Sequence, residues 1–376
     1  MSFVFEKINK KEVKIVKYIG KEEYLIVPSF KFIDNYVYRV TCIDKYSLNN
    51  PYIKKIFIPR TIKSIHHFAF LGLKNINIDE FIVASNNENY TSLDGNLYSK
   101  DKKILLRYAS GSLKEKFVLP SEVEIIENSA FENSKFLKKV IFNASLKSVK
   151  AYAFAFCENI KTIKINDSLE HIGDFAFTNH QELNNIKLPA SLSSLGVGVF
   201  RSIRNPNINI SISSKNRNFK IYKGGLYSYN KEELYKYMGS KEDIYLSSHL
   251  KEIKAYAFSY SFIDSLTIPS NVYIIGRSAF KGSTIRDIKL SDNVEILQKS
   301  TFEYCKFLKN VILPKKLKTI EALVFSTCSS LENIDLPNSL SYIGDSAFAS
   351  SKIKDIKLNS SISLSEDALK GSYIKI

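Results

Sequence analysis

The chain has 376 residues, 44% hydrophobic and 12% aromatic with no Trp, a composition that excludes a disordered or collagen-like protein. Its formal charge is +16, but only eight of the 54 basic residues are Arg, and Asn, Ile and Tyr are abundant beside Lys. Codon usage in an AT-rich genome therefore competes with a polyanionic partner as the source of that charge.

The N-terminal MSFVFEKINKKEVKIV has only Ser2–Phe5 before its first charge and so lacks the apolar core of a signal peptide. No apolar run approaches the roughly 18 residues of a membrane helix, and the C-terminal GSYIKI carries no anchoring signal. On these grounds alone the chain is expected to be cytoplasmic. Further along, one pattern recurs in ten copies aligned on a Phe: Phe70, Phe131, Phe154, Phe177, Phe200, Phe258, Phe280, Phe302, Phe325 and Phe348. Successive copies step by 22 or 23 residues except from 70 to 131 and from 200 to 258; Leu48 and Leu369 are degenerate copies at the two ends. Apolar residues stand eight before the Phe (Leu169, Leu317) and five before it (Ile172, Ile320), and Ala precedes it in seven of ten copies. An I-x-L unit follows downstream (Ile163/Ile165, Ile186/Leu188), and six of nine prolines fall eleven residues before a repeat Phe. The two long gaps hold GNLYSKDKKILLRY (95–108) and GGLYSYNKEELYKY (224–237), which align without gaps and read as β-hairpins with polar turns.

A 22–23-residue unit is too short to bury its own apolar face, so successive units must stack and share a core. The I-x-L stretch alternates and is β-branched, so it reads as a short strand pairing in parallel with its neighbours, about 4.8 Å apart. Proline then ends the strand where no ladder donor is needed. Gly173, Gly196, Gly276 and Gly344, four before the Phe, fit a tight turn with positive φ. The Ala-Phe turn carries the ring inward as a core rung. The expected fold is β-rich: a solenoid of stacked coils with short parallel strands, interrupted by β-hairpin insertions.

The run Leu336-Pro337-Asn338-Ser339-Leu340-Ser341-Tyr342-Ile343-Gly344-Asp345-Ser346-Ala347-Phe348 resembles the BspA-like (Treponema pallidum-type) leucine-rich repeat, LP-x-S-L-x-x-IG-x-x-AF, with Ser351 at the family's Cys position. The resemblance covers roughly residues 25–376. It implies a leucine-rich-repeat solenoid, and the G-x-LY-S segments are similar to insertions this family carries. VKYIGKEEYLIVPSF resembles the family's N-terminal cap, a hairpin around Gly20. The organisation this implies is one continuous solenoid: cap hairpin and partial repeat (1–47), first repeats (48–84), insertion (85–116), repeat block (117–214), second insertion (215–244) and a final block (245–376). Proteins of the family are often surface antigens, so the resemblance implies a cell-surface location, adhesion or host contact that the N-terminus does not.

No catalytic site, metal site or cofactor is expected. Cys157, Cys305 and Cys328 occupy the repeat position three after the Phe, where Ser134, His180 and Ser283 stand elsewhere, and read as small buried packing residues. The five His fall at different repeat offsets, and no H-E-x-x-H, G-x-S-x-G or P-loop motif occurs. Gly196-Val197-Gly198 reads as a turn, and the sequons at Asn89, Asn143, Asn166 and Asn359 as chance in an Asn/Ser-rich chain. The middle residue of each I-x-L unit must face away from the core. These outward positions are Phe57, Asn77, Ile141, Lys164, Lys187, Asn209, Thr267, Lys289, Ile312, Asp335, Lys357 and Lys375. Two residues earlier stand Lys55, Asn75, Lys139, Thr162, Asn185, Asn207, Ser265, Asp287, Asn310, Asn333, Asp355 and Tyr373. Such a face is where repeat proteins bind partners. The expected function is a non-enzymatic scaffold recognising a protein or other macromolecule. Lys164 beside Lys187 points to an acidic partner; a solvated face explains the pair equally. Outward Phe57, Ile141 and Ile312 favour binding, and the scarcity of aromatics disfavours carbohydrate stacking. The alternative is a polyanion binder, of nucleic acid or acidic glycan, using the Lys stripe; membrane insertion is not expected.

Overall fold

Eight of the ten repeat Phe rings form two stacks, and Phe70 meets Phe81 edge-on. The computed structural model describes residues 3–71, 77–203, 208–239, 244–354 and 356–374. The chain divides into two units, Met1–Val199 with Ile203–Ser213, and Phe200–Ser202 with Ser214–Ile376. In the first unit Phe131 stacks on Phe154 with ring centroids 4.5 Å apart, and Phe154 on Phe177 at 5.6 Å. In the second, Phe258, Phe280, Phe302, Phe325 and Phe348 stack at 4.9, 5.2, 5.5 and 5.7 Å. All ten rungs are at most 3% exposed, and the degenerate Leu48 is fully buried. Each unit is a β-solenoid whose coils repeat at the step set by the rungs.

Every regular coil contributes to two parallel ladders. In the first unit one ladder runs through Lys116–Val118, Lys139–Ile141, Thr162–Lys164, Asn185–Leu188 and Asn209–Ile212. The other is built of two-residue strands, Ile125–Ile126, Ser148–Val149, His171–Ile172 and Ser194–Leu195. The second unit repeats the arrangement with Ser265–Thr267, Asp287–Lys289 and Asn310–Ile312, and with Ile296–Leu297, Thr319–Ile320, Tyr342–Ile343 and Ser363–Leu364. The apolar residue five before each Phe is the inward member of this second, shorter strand. Among the described residues there is no α-helix.

The Ala-Phe turn forms a third ladder. N–H groups two before the Phe, at the Phe and two after it all donate to the following coil: Ser300 to Ala322 O (3.0 Å), Phe302 to Val324 O (2.9 Å) and Tyr304 to Ser326 O (2.9 Å). Aligning them requires left-handed backbone at the two flanking positions, and non-glycine residues adopt it there: Tyr152 and Phe156 around Phe154, Ser300 and Tyr304 around Phe302. Each such residue costs roughly 1–2 kcal/mol in isolation, a cost the surrounding hydrogen bonds outweigh.

Three sequence expectations change here. The glycines four before the Phe do not have positive φ; a Cβ on Gly276 would instead lie 2.4 Å from Ala255 N, and one on Gly173 2.6 Å from Ala151 N. They are glycine because the backbone of the preceding coil passes too close for any side chain. The N-terminal cap has no hairpin at Gly20. Phe3–Lys7 pairs with Glu12–Tyr18, and Phe30–Ile33 with Tyr36–Ile43 around Asp34-Asn35, both of positive φ, while Tyr24–Ile26 joins the ladder beside Lys55–Ile58. Finally, each insertion has three strands: Tyr90–Leu93, Asn96–Ser99 and Ile104–Arg107, and likewise Phe219–Tyr222, Gly225–Ser228 and Glu233–Tyr237.

The insertions also begin each run of coils. Tyr108 stacks on Phe131 at 5.0 Å and Tyr237 on Phe258 at 5.1 Å, so each takes a rung's place. The residue before each is a cation, buried Arg107 and half-buried Lys236, aimed at a carbonyl of the next coil: Arg107 donates to Ser129 O, and Lys236 to Ser259 O at 3.1 Å. Burial lowers the pKa of both, that of Lys236 to about 8.

Candidate functional site

With every rung committed to the core, chemistry is left to the outward rows of the long-strand ladders. In the first unit the register sets Lys116 beside Lys139 and Thr162, then Asn185 and Asn209. The next row sets Val118 beside Ile141 and Lys164, with Lys187 and Ser211 paired further on. Carrying the Thr162–Asn185 register two residues on makes Lys164 and Lys187 neighbours. In the second unit Thr267, Lys289 and Ile312 form one row and Ser265, Asp287 and Asn310 the other. The expected face residues Lys164, Lys187, Asn209, Thr267, Lys289, Ile312, Asp335 and Lys357 are exposed, and Phe57 and Ile141 half-buried. Asp335 and Lys357 lie beyond the last assigned strand of their ladder. Asn75, Asn207, Asp355 and Lys375 lie outside the described residues.

Two expected positions belong elsewhere. Asn77 precedes its strand, which is Glu80–Val83, so the partners of Lys55 and Phe57 are Glu80 and Ile82. Asn209 stands beside Asn185, and the neighbour of Lys187 is Ser211. Both errors follow the long gaps, where counting from the previous Phe no longer gives the strand's phase. Counting also missed Tyr24 and Ile26, which pair with Lys55 and Phe57, and Lys116 and Val118. An alternating three-residue stretch followed by a Pro-containing turn was the signal for the latter pair.

The second unit's rows form the floor of a groove of about 610 Å³. Tyr245, 54% exposed, and Ile312, 58% exposed, wall it, and buried Leu266 and Ile288 lie beneath. Asn310 Nδ2 donates to Asp287 Oδ1 at 2.5 Å, and the groove's lining carries one carboxylate, Asp287, and one cation, Lys289. Further along, Glu332, Asn333, Lys352, Lys354 and Tyr373 line a second depression of about 540 Å³.

The Cys position is more than a packing site. Cys157, Cys305 and Cys328 donate to the Phe carbonyl of the preceding coil, at 3.0 Å to Phe131 O, 3.0 Å to Phe280 O and 3.2 Å to Phe302 O. His180 Nε2 does the same to Phe154 O at 2.9 Å, whereas the shorter Ser134 and Ser261 reach their own coil's Phe carbonyl. Burial pushes the Cys157 and Cys305 thiols up to about 12, away from thiolate chemistry. Asn143, a sequon residue, donates to Pro120 O and Val123 O and so stitches two coils together. Among the described residues no group of three His, Cys, Asp or Glu side chains is placed to hold a metal, and no helix is long and apolar enough to cross a membrane.

A model of the BspA type leucine rich repeat region matches residues 2–101, 108–225 and 240–375, in six copies. No curated protein matches the chain. Among solved structures, a leucine rich cell surface protein from Faecalibacterium prausnitzii A2-165 is 23% identical with a TM-score of 0.60, covering 96% of this chain and 92% of that one. The pneumococcal vaccine antigen PcpA is 20% identical with a TM-score of 0.59, covering 99% and 96%. At these identities the likeness is one of fold.

Proposed function

This chain belongs to the BspA-type leucine-rich repeat family, and from that premise we propose that it is a non-enzymatic binding scaffold that recognises a protein partner through its outward strand rows. The observation that carries the reading is the second unit's groove, where solvent-facing Tyr245 and Ile312 flank a polar floor with one carboxylate and one cation. Apolar side chains with no core to fill, held in register beside hydrogen-bonding groups, have the composition of an interface. A cell-surface setting, with adhesion or host contact as the role, is supported by fold likeness to a cell surface protein and to a vaccine antigen.

The test uses the full chain immobilised beside a Thr267→Arg/Ile312→Arg variant of unchanged melting temperature. Both sites are exposed, so folding is preserved. A protein ligand retained by the wild type and lost by the variant supports the reading; equal retention removes the site from this face. Protease shaving of intact source cells tests the setting. Loss of the chain before lysis supports surface exposure, and protection until lysis redirects the search to an intracellular partner.

A further inference from the structure

The first unit's ladder narrows the chemistry of its partner, on the strand-face reading just given. Lys116 and Lys139 stand opposite each other on adjacent parallel strands, where like charges repel. Lys164 and Lys187 do the same in the neighbouring row. No Asp or Glu occupies an outward position of the five strands, and none of the four lysines forms an ion pair among the described residues. The chain treats other lysines differently. Lys55, on the N-terminal ladder, meets Glu80 at 2.9 Å, and Lys138, next to Lys139, meets Glu115 at 2.5 Å. Codon usage accounts for the number of lysines but not for the exclusion of acids from these rows.

The same rows hold an apolar end. Val118 is 55% exposed, and the half-buried Ile141 lies between it and Lys164. The face therefore passes from apolar to cationic along one row, at a strand spacing of about 4.8 Å. Nucleic acid would be met by Arg forks and by rings that stack bases; the outward positions of these strands contain neither residue type. We propose that this face binds an extended acidic polypeptide segment, its carboxylates on the four lysines and an apolar side chain seated on Val118 and Ile141.

The experiment is fluorescence anisotropy on the full chain at low salt. The probes are a short labelled peptide of Glu, Ser and Leu, the same peptide with Leu replaced by Ser, and single-stranded DNA of equal length. The Leu-containing peptide should bind tightest. Lys164→Glu/Lys187→Glu should weaken it roughly tenfold, the sum of two lost exposed pairs and two new repulsions. Ile141→Ser should weaken it while leaving the Leu-free peptide unchanged, a pattern that simple misfolding does not give. DNA binding as tight as the peptide, or indifference to the Lys reversals, would overturn the proposal. Absence of peptide binding while Thr267→Arg/Ile312→Arg still loses its ligand would sink this inference and leave the strand-face reading standing; flat results in both experiments would end both.

Discussion

Replacing Phe302 by Ala tests the rung at the centre of the second stack. The side chain is fully buried, with Phe280 at 5.2 Å on one side and Phe325 at 5.5 Å on the other, and it packs in one cluster with Cys305, Leu308 and Val324. Truncating a buried Phe costs about 3–5 kcal/mol, and two broken ring stacks put this site toward the upper end. For a unit of this size each kcal/mol lowers Tm by about 2–4 °C, so a fall on the order of 10 °C is expected in a thermal melt. Exposed Lys289→Ala is the control, expected within about 0.5 kcal/mol of wild type. Coils contact chiefly their neighbours, so the loss should be local. By hydrogen exchange, the amides of Phe280 and Phe302, bonded to Thr301 O and Val324 O, should lose protection. Those of the insertion strand Phe219–Tyr222 should keep theirs. Equal Tm shifts for the two variants, or a uniform loss of protection, would refute the assignment of inward and outward faces.

Two further outcomes follow from single buried positions. Burial holds the His180 imidazole at about 4, below its ordinary 6.5. The unfolded chain therefore binds the proton more tightly, and the stability this neutral side chain lends is present above pH 6.5 and lost as pH falls through 4, about 3 kcal/mol in all. In urea titrations across that window His180→Cys should flatten the acid loss while keeping a donor for Phe154 O; an unchanged slope would place the acid sensitivity elsewhere. Gly276→Ala should destabilise by about 1–3 kcal/mol, because its Cβ meets Ala255 backbone at 2.4 Å. With ordinary φ at this position, the usual effect of Gly→Ala is stabilising, so a raised Tm would show that the coils have room to separate there.

The period was legible because it is written in core chemistry. One Phe per coil, preceded by a small residue and followed by a strand, repeats ten times, and each instance is buried as the spacing demands. What escaped was set by contacts between coils. Tyr152, Phe156 and Tyr304 carry positive φ although local propensity assigns that conformation to Gly and Asn; hydrogen bonds to the next coil impose it. Gly173 and Gly276 were misread for the same reason, since glycine answers here to a neighbouring backbone and not to its own φ. The two-residue strands, such as His171–Ile172, are too short for alternation to show. On the candidate face, Lys164, Lys187, Lys289 and Ile312 were legible by alternation, whereas Asn77 and Asn209 slipped because irregular gaps break the count.

The turn ladder gives the solenoid a direction, and that direction explains the insertions. Each coil's turn N–H groups point to the following coil and its carbonyls to the preceding one. Aligned peptide dipoles leave partial negative charge at the carbonyl end, where cations are favoured as they are at a helix C-terminus. A run of coils therefore needs donors and positive charge at its start. Both insertions supply them from the same two aligned positions. Tyr108 N–H donates to Ala130 O and Tyr237 N–H to Ala257 O, each at 2.9 Å, while Arg107 and Lys236 donate to Ser129 O and Ser259 O. Lys236 meets Ser259 O, one after its Phe, the position whose carbonyl takes a preceding coil's N–H elsewhere in the run, whereas Arg107 adds a second donor to Ser129 O, which also accepts from Glu132 N–H. The segments that look like interruptions of the repeat are thus the caps from which each run begins.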